Sequence, residues 1–90
     1  MKKIAVLLTV HNRCKKTLYA LKRLYAVPLP SGYVLDVYLT DDGCTDGTAE
    51  AVREQFPAVH VLPGDGSLFW NRGMRMAWEA ASKSTPEFYL

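Results

Sequence analysis

Leu39-Thr40-Asp41-Asp42-Gly43-Cys44-Thr45-Asp46-Gly47-Thr48 concentrates the chemistry of this chain. Two adjacent carboxylates, a glycine turn and a Thr/Asp/Thr cluster follow directly on the apolar run from Tyr33 to Leu39. That run reads as a strand, and Ala49 to Phe56 reads as the helix after it. Strand, acidic turn, helix is how an open α/β sheet builds a ligand site at the carboxyl edge of its strands. Carboxylates there accept hydrogen bonds from the N–H groups of a base or the hydroxyls of a ribose.

Other chemistries fit the residues less well. The turn after the first strand carries Thr9-Val10-His11-Asn12-Arg13, not the Gly-x-Gly-x-x-Gly of a dinucleotide site, and no Gly-Lys-Ser/Thr phosphate loop occurs. Asp46-Gly47-Thr48 resembles the end of the phosphatase signature Asp-x-Asp-Gly-Thr, but Cys44 stands where the nucleophilic Asp belongs and the trio opens a helix. There is no Gly-x-Ser-x-Gly elbow. His11 and His60 have no third ligand at metal spacing, and His60, inside a strand, is expected to be packed or solvated. What survives is a pocket for the base and ribose of a nucleotide.

The elements that must position these residues alternate along the chain. Ile4 to Leu8 is a continuous apolar run, the pattern of a strand covered on both faces. Lys15 to Ala26 carries Leu18, Leu21 and Tyr25 at helical spacing, and Val27-Pro28-Leu29-Pro30-Ser31-Gly32 ends it. The second strand and its acidic turn follow. Thr45 or Asp46 is expected to cap the next helix, with Ala49, Val52 and Phe56 on one face and Pro57 stopping it. Val59 to Leu62 is a short third strand, and Pro63-Gly64-Asp65-Gly66-Ser67 a loop. Trp70, Met74, Ala77, Trp78 and Ala81 then form a helical stripe expected to face the core. Phe88-Tyr89-Leu90 reads as the start of a fourth strand. Alternation at this spacing predicts a parallel sheet with right-handed crossovers, so that Thr9 to Arg13, Asp41 to Thr45 and Gly64 to Ser67 converge on one edge.

Composition sets the bounds. The chain's 90 residues make one small domain at most, and 49% hydrophobic with 22% charged residues is the balance of an ordinary soluble globular protein. A formal charge of +2 is too small to imply a nucleic-acid binder. The distribution is more telling: Lys2, Lys3, Arg13, Lys15, Lys16, Lys22 and Arg23 all precede the first acidic residue, Asp36. Such an end suits phosphates, an anionic membrane surface or an acidic partner, or is simply a solvated helix face. Met1-Lys2-Lys3 with its apolar run reads as a first buried strand and not as a signal peptide, and no segment is long enough to span a bilayer. Cys14 and Cys44 are expected as reduced thiols, which suits a cytoplasmic protein.

Three blocks, Val6-Leu7-Leu8-Thr9-Val10-His11-Asn12-Arg13, then Leu39 to Thr48, then Asn71-Arg72-Gly73 with Ala77, resemble in order and spacing the family 2 glycosyltransferases. The resemblance spans nearly all of the chain. It implies an α/β fold, an open and mostly parallel sheet with flanking helices: the Rossmann-like nucleotide-binding half of a GT-A domain. It implies an inverting enzyme that transfers a sugar from a UDP- or dTDP-sugar to a saccharide or lipid-linked acceptor, in polysaccharide or glycolipid assembly. Thr9 and His11 would line the nucleotide pocket, and Arg13 would approach the diphosphate or lie on the surface. Asp42 would accept from the N3–H of a uracil or thymine, while Asp41 supports the turn or meets the ribose and Gly43 makes the turn. Gly64-Asp65-Gly66-Ser67-Leu68-Phe69-Trp70 resembles a loop of rhamnosyltransferase-like members, with Asp65 touching base or donor; Trp70 itself reads as core. The family's divalent metal, Mn or Mg, is held by an Asp-x-Asp motif after the fourth strand, and no Asp-x-Asp occurs in these residues. Residues 1–90 therefore read as the incomplete, nucleotide-binding front part of the catalytic domain, with neither metal ligands nor catalytic base. The expected location is cytoplasmic or at the inner face of the membrane, with peripheral membrane association and self-association through a cut sheet as accompanying expectations. The competing reading is a non-catalytic nucleotide-binding or dimerising module. On either reading Asp42→Ala is expected to abolish nucleotide binding and leave the fold intact.

Overall fold

Side-chain alternation along two strands generates the layers of this domain. In the computed structural model, which describes residues 2–83, 86, 88 and 89, strand β1 covers Lys2–Val10 and β2 covers Tyr33–Asp42. They pair in parallel from Lys2↔Tyr33 to Val10↔Asp41. Val6, Val37 and Leu39 point to one side of the sheet, where they pack with Leu21 of helix α1 (Cys14–Ala26) and Val52 of α2 (Thr48–Gln55). Ala5 and Tyr38 point to the other side and meet Ala77 and Ala81 of α3 (Phe69–Ser82). Burying aliphatic side chains of this kind stabilises by about 1.5–3 kcal/mol each, so both faces of the sheet hold core. The result is a small α/β domain with a parallel sheet between two helical layers.

Strand β3 (His60–Gly64) pairs in parallel with β2 from Tyr38↔His60 to Asp42↔Gly64. The short β4 (Phe88–Tyr89) pairs in parallel with β1 at Ile4 and Ala5. The spatial order is β3-β2-β1-β4. The chain thus steps outward twice, then α3 crosses on the opposite face and the order reverses beside β1. Among the described residues β1 has no strand partner on its β4 side beyond Ala5.

Several expectations meet corrections here. β2 does not stop at Leu39 but runs through Asp42, because β3 offers hydrogen-bonding partners as far as Gly64. Asp41 and Asp42 are consequently strand residues and leave opposite faces of the sheet. Trp78 is not core: it is 49% exposed, while Ala77 and Ala81 from the same stripe are buried. The small alanines bring α3 close to the sheet and leave the large indole at the rim. In α1, Leu21 is buried and Leu18 and Leu24 pack against the core, whereas Tyr25 lies at the edge and stacks on Phe56 with ring centroids 5.8 Å apart. The α2 face holds as expected, with Ala49 and Val52 buried and Phe56 just past the last turn. The expectation for Trp70 concerns a side chain outside those described, and Leu90 lies outside the described residues.

Candidate functional site

The three loops at the carboxyl edge are joined by side chain–backbone hydrogen bonds. Asn12 sits in the left-handed region at φ 49°, a conformation its short amide tolerates better than most residues. There its backbone N–H donates to Cys44 Sγ at 3.3 Å, and its Oδ1 accepts from the Thr45 N–H at 2.7 Å. The Cys44 thiol in turn donates to the Val10 carbonyl at 3.7 Å. Burial and the neighbouring Asp41 carboxylate raise that thiol above its ordinary pKa, and its hydrogen bonds tie the first two loops together. Both cysteines are free.

Asp46 ties two helix starts together. Its Oδ2 accepts from the Cys14 N–H at 3.1 Å, the first amide of α1, and its Oδ1 accepts from the Thr48 N–H at 3.1 Å, the first amide of α2. The Thr48 hydroxyl donates to the same Oδ1. One carboxylate thus satisfies orphan amides of two helices, and neither Arg13 nor Gly47 at the N-cap positions supplies a side-chain cap. Of the two caps expected from the sequence, Asp46 is the one used, and its reach to α1 was not anticipated.

This arrangement fixes a pH dependence. The hydrogen bond from the Thr48 hydroxyl is the largest influence on the Asp46 carboxyl; desolvation opposes it, and the Cys14 and Thr48 amides add to it, so the carboxyl is held below its usual value. A depressed folded-state pKa adds stability that is complete above the unfolded value of about 3.9 and is lost as pH falls through the folded value. Asp65 shifts in the same direction, first through the Ser67 hydroxyl and then its amide. Asp46→Asn is therefore expected to flatten the acid limb of a plot of thermal midpoint against pH below about 4. An acid limb as steep as that of the unchanged chain would show that Asp46 carries none of it.

Asp42 is only 4% exposed. Its Oδ1 accepts from the Gly66 N–H at 2.8 Å and the Leu68 N–H at 3.2 Å, so this carboxylate shapes the loop that leads into α3. Its carbonyl accepts from His11 Nδ1 at 2.6 Å, which places the imidazole proton on Nδ1. Asp41, half-buried on the other face, accepts from the Cys44 N–H at 2.9 Å through Oδ1 and from the Gly43 N–H at 3.0 Å through its carbonyl. Gly43 adopts φ 68° and lies against Gly66, where an added Cβ would stand 2.6 Å from the Gly66 Cα. Asp65 is exposed and closes its own turn, accepting from the Ser67 N–H at 2.8 Å and hydroxyl at 2.6 Å. Thr9 packs under α3: a Cβ on Gly73 would fall 2.1 Å from its Oγ1. Beside it, the Thr40 hydroxyl donates to the Gly73 carbonyl at 2.8 Å. This makes the weak third sequence block, Asn71-Arg72-Gly73, the place where α3 touches the sheet most closely.

A cleft opens between these loops and the start of α1. One part, of about 660 Å³, is lined by His11, Asn12, Arg13, Cys14, Lys15, Lys16 and Asp46. A second, of about 260 Å³, shares His11, Arg13 and Lys16 with it and runs along Leu8, Thr9 and Val10 of β1 and Thr17 and Ala20 of α1. The volume suits a small-molecule ligand. Three cations, the imidazole and the first turn of α1 give it a character fit for a phosphorylated one, with Asp46 as the one acidic group in the lining. Of the residues proposed from the sequence, His11 and Arg13 line the larger hollow, while Thr9, whose side chain packs against α3, borders only the smaller one. Asp41, Asp42, Gly43 and Asp65 do not line it; they build the loops around it. Lys15 and Lys16 were passed over individually because a basic helix start also reads as solvated surface. For a divalent metal the fit is poor: among the described residues no three His, Cys, Asp or Glu side chains converge. The edge carboxylates Asp41, Asp42, Asp46 and Asp65 already accept backbone amides.

The cleft is lined by the loop after β1, the first turns of α1 and Asp46 beyond β2, at the carboxyl ends of the strands. That is where open α/β sheets bind their ligands. Among the described residues no helix is long and apolar enough to cross a membrane. The chain matches no protein-family model, and no curated protein or solved structure matches it significantly.

Proposed function

We propose that this chain is the nucleotide-binding part of a GT-A-type, Rossmann-like glycosyltransferase. In this reading it holds a pyrimidine nucleoside diphosphate sugar for inverting transfer to a saccharide or lipid-linked acceptor. The observation that carries the reading is a basic cleft at the carboxyl end of a parallel sheet, beside the Asp-Asp-Gly-Cys-Thr-Asp turn. The resemblance of the three sequence blocks adds to it, as an analogy of motifs.

The roles follow from the contacts. Arg13, Lys15 and Lys16 face the diphosphate, and His11, held by the Asp42 carbonyl at Nδ1 and by the Asn12 amide at Nε2, forms a wall of the same cleft. Asp41 and Asp42 are bonded to loop amides and stand outside the cleft lining, so their part in this reading is to hold the loops that shape it. Asp65 and Ser67 shape the loop before α3 and stand at its rim. The metal implied by the resemblance has no donor set among the described residues, and no step here is routed through one.

Calorimetric titration of the chain with UDP, dTDP and uridine, each with and without manganese, tests the proposal. The diphosphates are expected to bind with little metal dependence, and Arg13→Ala is expected to weaken them about tenfold while leaving uridine unchanged. Absence of binding at millimolar nucleotide would remove the assignment.

A further inference from the structure

The outward face of α1 reaches the cleft only at its first turn and is uniformly basic along its length. Lys15, Tyr19, Lys22 and Ala26 recur at i, i+4, i+7 and i+11, with Lys16 and Arg23 flanking them, and all six are exposed. The opposite side of the helix carries the buried Thr17 and Leu21. No acidic residue occurs in the 13 residues of α1. Apolar and aromatic groups are interleaved with the charges: Tyr19 is 61% exposed and Val27 55%. At the far end Tyr19, Lys22, Arg23, Ala26, Val27 and Pro28 line a shallow hollow of about 470 Å³. The Arg23 guanidinium donates to Tyr19 Oη at 3.1 Å and lies 5.7 Å from the ring centroid, so the cation is held along the aromatic surface.

We propose that this face of α1 docks the domain onto an anionic phospholipid bilayer. Charge complementarity selects the occupant. A cluster of Lys and Arg residues on one side of an amphipathic helix is attracted to an acidic leaflet; Lys22 and Arg23 supply that charge outside the cleft, and Lys15 and Lys16 extend it to the cleft mouth. Tyrosine and short apolar side chains between the cations suit the headgroup region, where one end of a group is wet and the other is not. The shape agrees: an outer helix is a convex ridge, and it meets a broad surface better than it grips a single acidic strand. The neighbouring α2 mixes exposed Glu50 and Glu54 with Arg53, so the unbroken positive face belongs to α1. Because α1 begins at the cleft, a domain docked in this way holds the mouth of the cleft beside the membrane, where a lipid-linked molecule would arrive. The proposal stands on the α1 surface and does not require the nucleotide reading.

Co-sedimentation of the chain with vesicles tests it. Binding is expected to vesicles of phosphatidylcholine with phosphatidylglycerol, to vanish at high salt, and to be absent on phosphatidylcholine alone. The double variant Lys22→Glu/Arg23→Glu, checked for fold by circular dichroism, is expected to bind the anionic vesicles roughly tenfold more weakly or worse. Tyr19→Ser/Val27→Ser, which leaves every charge in place, is expected to weaken binding at low salt as well. Equal binding to neutral and anionic vesicles, no binding to either, or unchanged binding by the charge-reversed variant would overturn the proposal. Tighter binding to polyglutamate than to anionic vesicles at the same salt would replace the bilayer with an acidic protein. UDP titration of the charge-reversed variant is expected to match the unchanged chain, so the two proposals fail separately.

Discussion

Asp42→Ala is expected to destabilise the domain by roughly 3 kcal/mol, since it strips two backbone amides of a charged acceptor inside the protein. The Gly66 and Leu68 N–H groups both donate to Asp42 Oδ1, and the carboxylate sits at 4% exposure where water replaces it poorly. For a domain of this size such a loss is a large share of the total, typically 5–15 kcal/mol. Urea denaturation followed by circular dichroism measures it. Asp42→Asn keeps an acceptor oxygen in the same place and is expected to lose only about 1 kcal/mol. If alanine and asparagine proved equally mild, the loop amides would be satisfied elsewhere and Asp42 would not be their anchor. The sequence reading had the fold surviving this substitution. The geometry revises that expectation, and any nucleotide affinity lost by Asp42→Ala would follow in part from a disordered loop.

Gly43→Ala carries the second large effect. A left-handed backbone costs an L-residue about 1 kcal/mol, and here the new methyl would also stand 2.6 Å from Gly66 Cα and 2.8 Å from Gly66 N. Backbone atoms cannot rotate aside as a flexible side chain does, so overpacking adds about 1–3 kcal/mol. Gly32→Ala is the internal control: its φ is 88°, and an added Cβ would meet nothing within 4 Å. The gap between the two unfolding free energies isolates the contact between loops. Equal losses would mean that the two loops separate at little cost.

The layers were legible because apolar runs and helical stripes report which side of a strand or helix meets its neighbour. Convergence of three polar turns on one edge followed from parallel topology alone. The end of β2 was not legible: Asp is a poor strand residue, and only pairing with β3 carries the ladder to Asp42. With that extension went the idea of two carboxylates acting side by side. Asn12 was quoted in a motif without a role; its tolerance of positive φ was the available signal, but its partners Cys44 and Thr45 lie more than thirty residues away. The same distance hid the second helix held by Asp46. Trp78 misled because a large apolar side chain at core spacing outweighs alanines on paper, while close helix–sheet packing favours the alanines.

The bonds between loops have a consequence for how the edge forms. Asp42 reaches Gly66 across 24 residues, Asn12 reaches Thr45 across 33, and Cys44 reaches Val10 across 34. Each closure requires chain entropy to be surrendered before its contacts are gained. The helices can nucleate early, but the edge assembles only once all three strands are in register. No partly folded species then carries the cleft, and a ligand lodged in it stabilises the native state alone. Such a ligand slows unfolding and leaves the folding rate unchanged.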